Sequence, residues 1–285
     1  MSKSQSIEDI ILRDETRGMS LLRPHLPSDF VTDAAQFVLQ HPGKAFIVTG
    51  FYILAAKAPE TDGPPGSIVL ARALRQIGFD VVFVTDKWSS KVMKALAPRQ
   101  PIVEFPMASH DDSATFSKEL LETEQPSIVI AVERAGFTND GTYRNRKDDD
   151  ISEYNAKTDY LFEQHPISIG IGDGGNEIGM GLVSEVILNQ DDFEATPSMT
   201  TTTKLIISAC SNWGAYGLVA GLSLLTQEDL LPTCDDVQRI VELAVKSGAV
   251  DSSSCQFEAR VDGRSLEAEL GCIADLRSLL RGQGV

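Results

Sequence analysis

Basic residues are scarce in this chain: 25 Lys and Arg stand against 41 Asp and Glu over 285 residues, a formal net charge of −16. That imbalance excludes general nucleic-acid binding and suits a protein that holds cations. Cysteine is scarce too. Cys210, Cys234, Cys255 and Cys272 form no CxxC pair, which excludes zinc-finger and thioredoxin-like chemistry and points to reduced thiols in a cytoplasmic protein. No apolar run approaches the ~20 residues of a membrane span, so no membrane role is expected. The first residues, Met-Ser-Lys-Ser-Gln-Ser-Ile-Glu-Asp, contain no signal-peptide core. A G-x-x-x-x-G-K-[ST] loop is absent, which excludes a P-loop.

What remains is an ordinary apolar fraction, 42%, arranged as short strands alternating with helices. Apolar strands are expected at Ala45–Thr49, Val81–Thr85, Ile102–Phe105, Ser127–Val132, Ile167–Ile171 and Leu205–Ala209. Helices follow most of them, the first of these over Ser67–Ile77. This pattern predicts an α/β fold, a Rossmann-like, doubly wound and mostly parallel sheet with flanking helices and helical N- and C-terminal additions. Residues 1–43 read as a helical extension that covers a sheet edge or supports a homo-oligomer contact, and residues 44–285 as the α/β domain. Val250 to Asp262 reads as a loop or short hairpin ending in Asp262-Gly263.

Polar residues gather after the strands, where an open α/β sheet binds ligands. Thr49 and Gly50 follow the first strand, and Glu60 and Asp62 lie in a loop stiffened by Pro64-Pro65. Glu133 and Arg134 end the fourth, followed by a long loop with Asp140 and Tyr143. The fifth runs into Gly170-Ile-Gly-Asp-Gly-Gly-Asn-Glu-Ile-Gly-Met-Gly181, which places Asp173, Gly174, Gly175, Asn176 and Glu177 at an expected helix entrance. Ser211 and Asn212 follow the sixth, as helix caps or substrate contacts. Each acid also has a bland reading: Asp173 as a cap, Glu133 as half of an ion pair with Arg134, Glu60 and Asp62 as a solvated loop. His25, His41, His110 and His165 lie outside these loops, so the ligand set is oxygen-only and suits Mg²⁺ or Mn²⁺ rather than zinc. Gly170, Gly172 and Gly175 also match G-x-G-x-x-G. Against a dinucleotide site, Asp173 would face the pyrophosphate, and Asp191 and Asp192, near the expected acid spacing, do not end a strand.

The ordered motifs Thr49-Gly-Phe51, Glu60-Thr-Asp-Gly-Pro-Pro-Gly66, Glu133-Arg-Ala-Gly136 with Asp140-Gly-x-Tyr143, Gly170–Gly181, Ser211-Asn-Trp-Gly-Ala-Tyr-Gly217 and Val261-Asp-Gly263 resemble the D-glutamate cyclase C-terminal domain family, formerly a domain of unknown function. The resemblance runs from about residue 44 to the C-terminus. It implies hydro-lyase cyclisation of D-glutamate, or a related small acidic amino acid, to 5-oxo-D-proline with loss of water, assisted by Mn²⁺. In that light Glu133, Asp173 and Glu177 are the candidate catalytic residues, with Glu133 as base. Glu60, Asp62, Asp173 and Glu177 are the candidate metal ligands. Thr49, Gly50, Arg134, Tyr143, Gly174, Gly175, Asn176, Ser211 and Asn212 are the candidate substrate contacts, with Arg134 and the helix start beyond Gly174 on the α-carboxylate. Two alternatives stand beside this one: a non-catalytic acidic-metabolite or metal-binding module serving a partner hydro-lyase domain, and an enzyme binding nucleotides or phosphate esters. The chain departs from the family at Arg144-Asn-Arg-Lys-Asp-Asp-Asp150, in place of an Asn-Met-Arg-Gly-like run, and at Thr202-Thr-Lys204, where an acid is common.

Overall fold

The computed structural model describes residues 5–190, 193 and 196–285; Asp191 and Asp192 lie outside them. In chain order the elements are α1 (Ile7–Ile11), α2 (Met19–Leu22), α3 (Phe30–Gln40), β1 (Lys44–Thr49), β2 (Tyr52–Ile53), β3 (Ala58–Pro59), α4 (Pro64–Gln76) and β4 (Asp80–Thr85). Then come α5 (Ser90–Leu96), β5 (Ile102–Glu104), α6 (His110–Glu124), β6 (Ile128–Val132), α7 (Asp159–Glu163), β7 (Ser168–Gly172), α8 (Ser184–Leu188) and β8 (Lys204–Ile207). The chain closes with α9 (Ser211–Thr226), α10 (Cys234–Ser247), β9 (Arg260–Val261), β10 (Arg264–Ser265) and α11 (Leu266–Gly282). Among the described residues no helix is long and apolar enough to cross a membrane.

Six strands form one sheet in the order β5-β4-β1-β6-β7-β8, and every pairing in it is parallel. Counted along the chain, that is third, second, first, fourth, fifth, sixth, the Rossmann order. Its direction reverses between β1 and β6, so the ligand crevice opens where those strands end, at the paired residues Thr49 and Val132. The strands are apolar on both faces because both are covered. Ala45 and Ile47 of β1 join the larger core with α1, α3, α4, α9, α10 and α11. Phe46 and Val48 turn to a smaller core with α6 and α7.

The N-terminal helices share the larger core. Ile7 and Ile11 of α1 press on Gly217 of α9, and Ala35 of α3 on Gly221; the missing side chains let the helix axes approach. The Ile11 carbonyl also accepts from the Ala209 amide at 2.7 Å, tying α1 to the β8–α9 turn.

Two local expectations change. Helix α4 begins at Pro64 rather than Ser67, because prolines at the first helical positions sacrifice no intrahelical bond. No helix starts at the end of the glycine loop. Gly175 and Gly179 take φ of +98° and +105°, which a right-handed helix does not permit. Only a 3₁₀ turn (Gly181–Val183) and the short α8 follow. Asp173 and Glu177 therefore sit in irregular backbone. The G-x-G-x-x-G reading falls as well, since Gly170 and Gly172 lie inside β7. A Cβ on Gly170 would stand 2.8 Å from the Gly179 Cα, and one on Gly172 would stand 2.9 Å from the Glu177 Cβ. These glycines give clearance to the chain's own returning loop, not to a ligand.

Candidate functional site

The crevice at the switch point is built by two helix starts that cap one another. Asp62 ends the β3–α4 loop. Its carboxylate accepts from the Ser211 amide at 2.8 Å and the Asn212 amide at 2.7 Å, at the start of α9. Asn212 returns the favour: its Oδ1 accepts from the Gly63 and Gly66 amides at 3.0 and 2.7 Å, at the start of α4. Gly66 is needed here, because a Cβ would stand 2.8 Å from the Asn212 Oδ1. The facing dipole ends favour negative charge at Asp62. Burial outweighs them, with help from Asp262, and raises its pKa to about 6.

Glu133 follows β6 directly, in the left-handed region at φ 46°. That conformation costs a non-glycine residue on the order of 1 kcal/mol, and it aims the carboxylate at Ser211, whose hydroxyl donates to it at 2.5 Å. Asp173 follows β7. One carboxylate oxygen accepts from Arg17 at 2.7 Å, and the other, Oδ2, is buried without a hydrogen-bond partner. Asp62, Glu133 and Asp173 each bring one carboxylate oxygen within 4.8 Å of the others, and all three are buried. Burial, then mutual repulsion, holds Glu133 well above the ordinary carboxylate range. Asp173 is also raised well above it by burial, against the opposing pull of Arg17. Such a cluster is costly as it stands, and a hard divalent cation satisfies both the shared charge and the orphan oxygen. All three donors are carboxylate oxygens, so the trio could hold a hard cation.

A cavity of about 540 Å³ opens at Glu133 of the trio. Glu60, Glu133, Gly174, Asn176 and Glu177 line it, with the apolar run Phe51 to Ala55 on one wall. Glu60 is 4% exposed, and burial followed by the Asp62 and Asp262 charges lifts its pKa well above the usual range.

Other sequence-predicted residues take supporting positions. Glu177 folds back so that its two oxygens accept from the Gly174 and Gly175 amides at 2.7 and 2.8 Å; a carboxylate occupies the amides expected for a substrate carboxylate. Asn176 lines the cavity and donates to the Arg144 carbonyl at 2.9 Å. The Arg134 guanidinium is fully buried and does not line the cavity. It donates to Asp86 at 2.6 Å and to the Gly50 and Ala156 carbonyls at 2.7 Å each, so its partner is Asp86 rather than Glu133. Gly50 packs against Ser89 at the α5 entrance. Tyr143 donates to buried Asp159 at 2.5 Å, beneath the loop. The Thr49 Oγ1 is buried without a partner, on the Glu133 side of Gly63.

Arg17 and Asp262 also line the cavity, and neither stood among the candidate site residues of the sequence. Arg17 bridges Asp173 and Asp262. Its segment carries neither periodicity nor a strand, so nothing in the pattern placed it. Asp262 had a signal, the Val261-Asp-Gly263 motif in the turn of the β9–β10 hairpin, but no site role was attached to it.

A family model described as D-glutamate cyclase-like, C-terminal, matches residues 7–277, a range that includes the N-terminal helices and Arg17. The mitochondrial D-glutamate cyclase of Homo sapiens is 30% identical over 213 residues, 67% of this chain and 34% of that protein. The chain thus spans little more than a third of the curated relative it matches.

Proposed function

We propose, from the premise that this chain belongs to the D-glutamate cyclase-like C-terminal family, that it cyclises D-glutamate or a related acidic amino acid to the 5-oxoproline with loss of water. The observation that carries this reading is the buried trio Asp62, Glu133 and Asp173 with its unpartnered Asp173 oxygen, joined through Glu133 to the wall of a cavity of amino-acid size or larger. The trio would hold Mn²⁺ or Mg²⁺, which supplies Lewis-acid polarisation of a carboxylate when bound.

The reaction joins the α-nitrogen to the carbon of the γ-carboxyl group and moves two protons from that nitrogen to the departing oxygen. A carboxyl of raised pKa beside the substrate suits this transfer. The grouping of the acids supports exchanging two roles from the sequence reading: Glu133 joins the cation ligands, and Glu60, which lines the cavity outside the trio, relays both protons, one at a time, from the nitrogen to the departing oxygen. Glu177 braces the loop that carries Asp173. The apolar wall keeps bulk water from the reacting end. The four free cysteines fit a reducing setting.

The test is turnover of D-glutamate by the purified chain with Mn²⁺ or Mg²⁺, read as 5-oxoproline, alongside metal analysis. Product that disappears on chelation is expected. The match to a model described as C-terminal supports one alternative, a binding module serving a partner domain. Calorimetric binding of Mn²⁺ and D-glutamate with no product selects that alternative.

A further inference from the structure

Arg17 lines the cavity from a segment outside the sheet, and several contacts fix its position. Glu15 accepts from the amides of Arg17, Met19 and Ser20 at 3.0, 3.0 and 3.1 Å, which holds the turn leading into α2. Arg264 donates to the Asp14 carbonyl at 2.9 Å, anchoring the segment to the β9–β10 hairpin. Gly18 follows at φ +82°, where a Cβ would stand 2.9 Å from the Phe193 ring. The chain turns sharply and sends the guanidinium inward.

The Arg17 side chain is 16% exposed, with Asp173 on one terminal nitrogen and Asp262 on the other. The other cations on the cavity wall, Arg146 and Lys147, are exposed residues of the loop at 144–149. Arg17 is therefore the one cation on the cavity wall that is largely withdrawn from solvent among the described residues, set among Glu60, Glu133, Glu177 and Asp262.

An acidic amino acid brings two carboxylates and one ammonium into that surrounding. The γ-carboxylate must reach the trio and the ammonium must reach a carboxylate base. The α-carboxylate neither reacts nor leaves, and beside six acids it needs a fixed cation. A guanidinium presents five donors in a planar fork matched to carboxylates, and its two ion pairs leave donors for a third partner. We infer that Arg17 is the α-carboxylate anchor of the site, so that the N-terminal segment completes the substrate pocket. This rests on the reading that the cavity takes an acidic amino acid.

The experiment compares wild type with Arg17→Lys, measuring D-glutamate cyclisation and inhibition by 4-aminobutyrate, which lacks the α-carboxylate. Lys keeps the charge and loses the fork. The expected result is a KM for D-glutamate raised at least ~10-fold, with kcat within about threefold and the 4-aminobutyrate inhibition constant unchanged. An unchanged KM overturns the assignment, and so does an equal loss of both ligands, which marks Arg17 as a structural ion pair. Should Arg17→Lys fail to fold, the charge-balanced pair Arg17→Gln with Asp262→Asn takes its place, with the same outcomes deciding. A wild-type protein that neither binds nor cyclises D-glutamate overturns the functional reading and this one with it. Turnover by both proteins with equal KM overturns this one alone.

Discussion

Glu269 of α11 is fully buried against α9, where it accepts from the Trp213 indole at 2.6 Å and the Tyr216 hydroxyl at 2.8 Å. Burial raises its pKa from 4.5 to about 7; the two hydrogen bonds lower it, and the Asp62 charge adds to the rise. The folded state therefore holds this proton more tightly than the unfolded chain does. The stability it contributes is complete below about pH 4.5 and is lost as pH rises through about 7. A shift of roughly 2.5 units corresponds to about 3 kcal/mol, of which about 2.5 kcal/mol falls between pH 5 and pH 8. Glu269→Gln mimics the protonated form: its amide oxygen accepts from Trp213 and its NH₂ faces the Tyr216 oxygen. Urea unfolding at those two pH values reads the difference. Wild type also carries the raised trio, so the comparison is between the two pH slopes, not their absolute sizes. The variant should match wild type near pH 5 and exceed it by about 2.5 kcal/mol near pH 8. Equal slopes for the two proteins would refute the claim that a buried carboxyl is held protonated behind α9.

Asp173→Asn keeps the oxygen that Arg17 needs and removes the charge, so the chain should fold while Mn²⁺ affinity falls at least ~100-fold by calorimetry; affinity within threefold of wild type would separate Asp173 from the cation. Tyr143→Phe strips a donor from buried Asp159, which should cost about 1–3 kcal/mol in urea unfolding. Its KM for D-glutamate should stay within about twofold, and a tenfold rise at unchanged stability would return Tyr143 to the substrate. Gly170→Ala places a Cβ against the Ile178 carbonyl and Gly179, where backbone cannot swing aside, and should cost on the order of 1–3 kcal/mol. Wild-type stability in that variant would mean the returning loop is not held on β7.

The sheet was legible because its strands are nearly continuous apolar runs, such as Ile128–Val132 with every residue buried. The strand order was not, since parallel pairing partners are set by packing of the crossover helices rather than by the strands' own pattern. The acids of the trio were visible because each directly follows a strand or stands beside a proline turn. Their grouping required the fold: Asp62 and Asp173 meet only through the start of α9 and the β6–β7 neighbourhood. Glu177 shows the limit of local reasoning. At an expected helix entrance it looked like a ligand, but two positive-φ glycines broke the helix, and its carboxylate turned to the amides this exposed. Arg134 failed in the same way, drawn to Asp86 across the sheet edge. Arg17 left no mark at all, because a side chain delivered by an irregular segment has no period.

At the switch point several costs fall on one spot. Glu133 occupies a left-handed backbone conformation, the Asp173 Oδ2 and Thr49 Oγ1 are buried without partners, and Glu60, Asp62, Glu133, Asp173 and Glu177 all have raised pKa values. None of these improves the fold. The reciprocal caps between α4 and α9 and the Arg17 bridge offset part of the charge, and the larger core, continuous from α1 to α11, holds the geometry against the rest. A stable scaffold carries such local disagreement where a ligand will resolve it. On the proposed reading, a cation among the trio and an ammonium beside Glu60 would each relieve this repulsion, so the carboxylates that burden folding would supply the affinity for both.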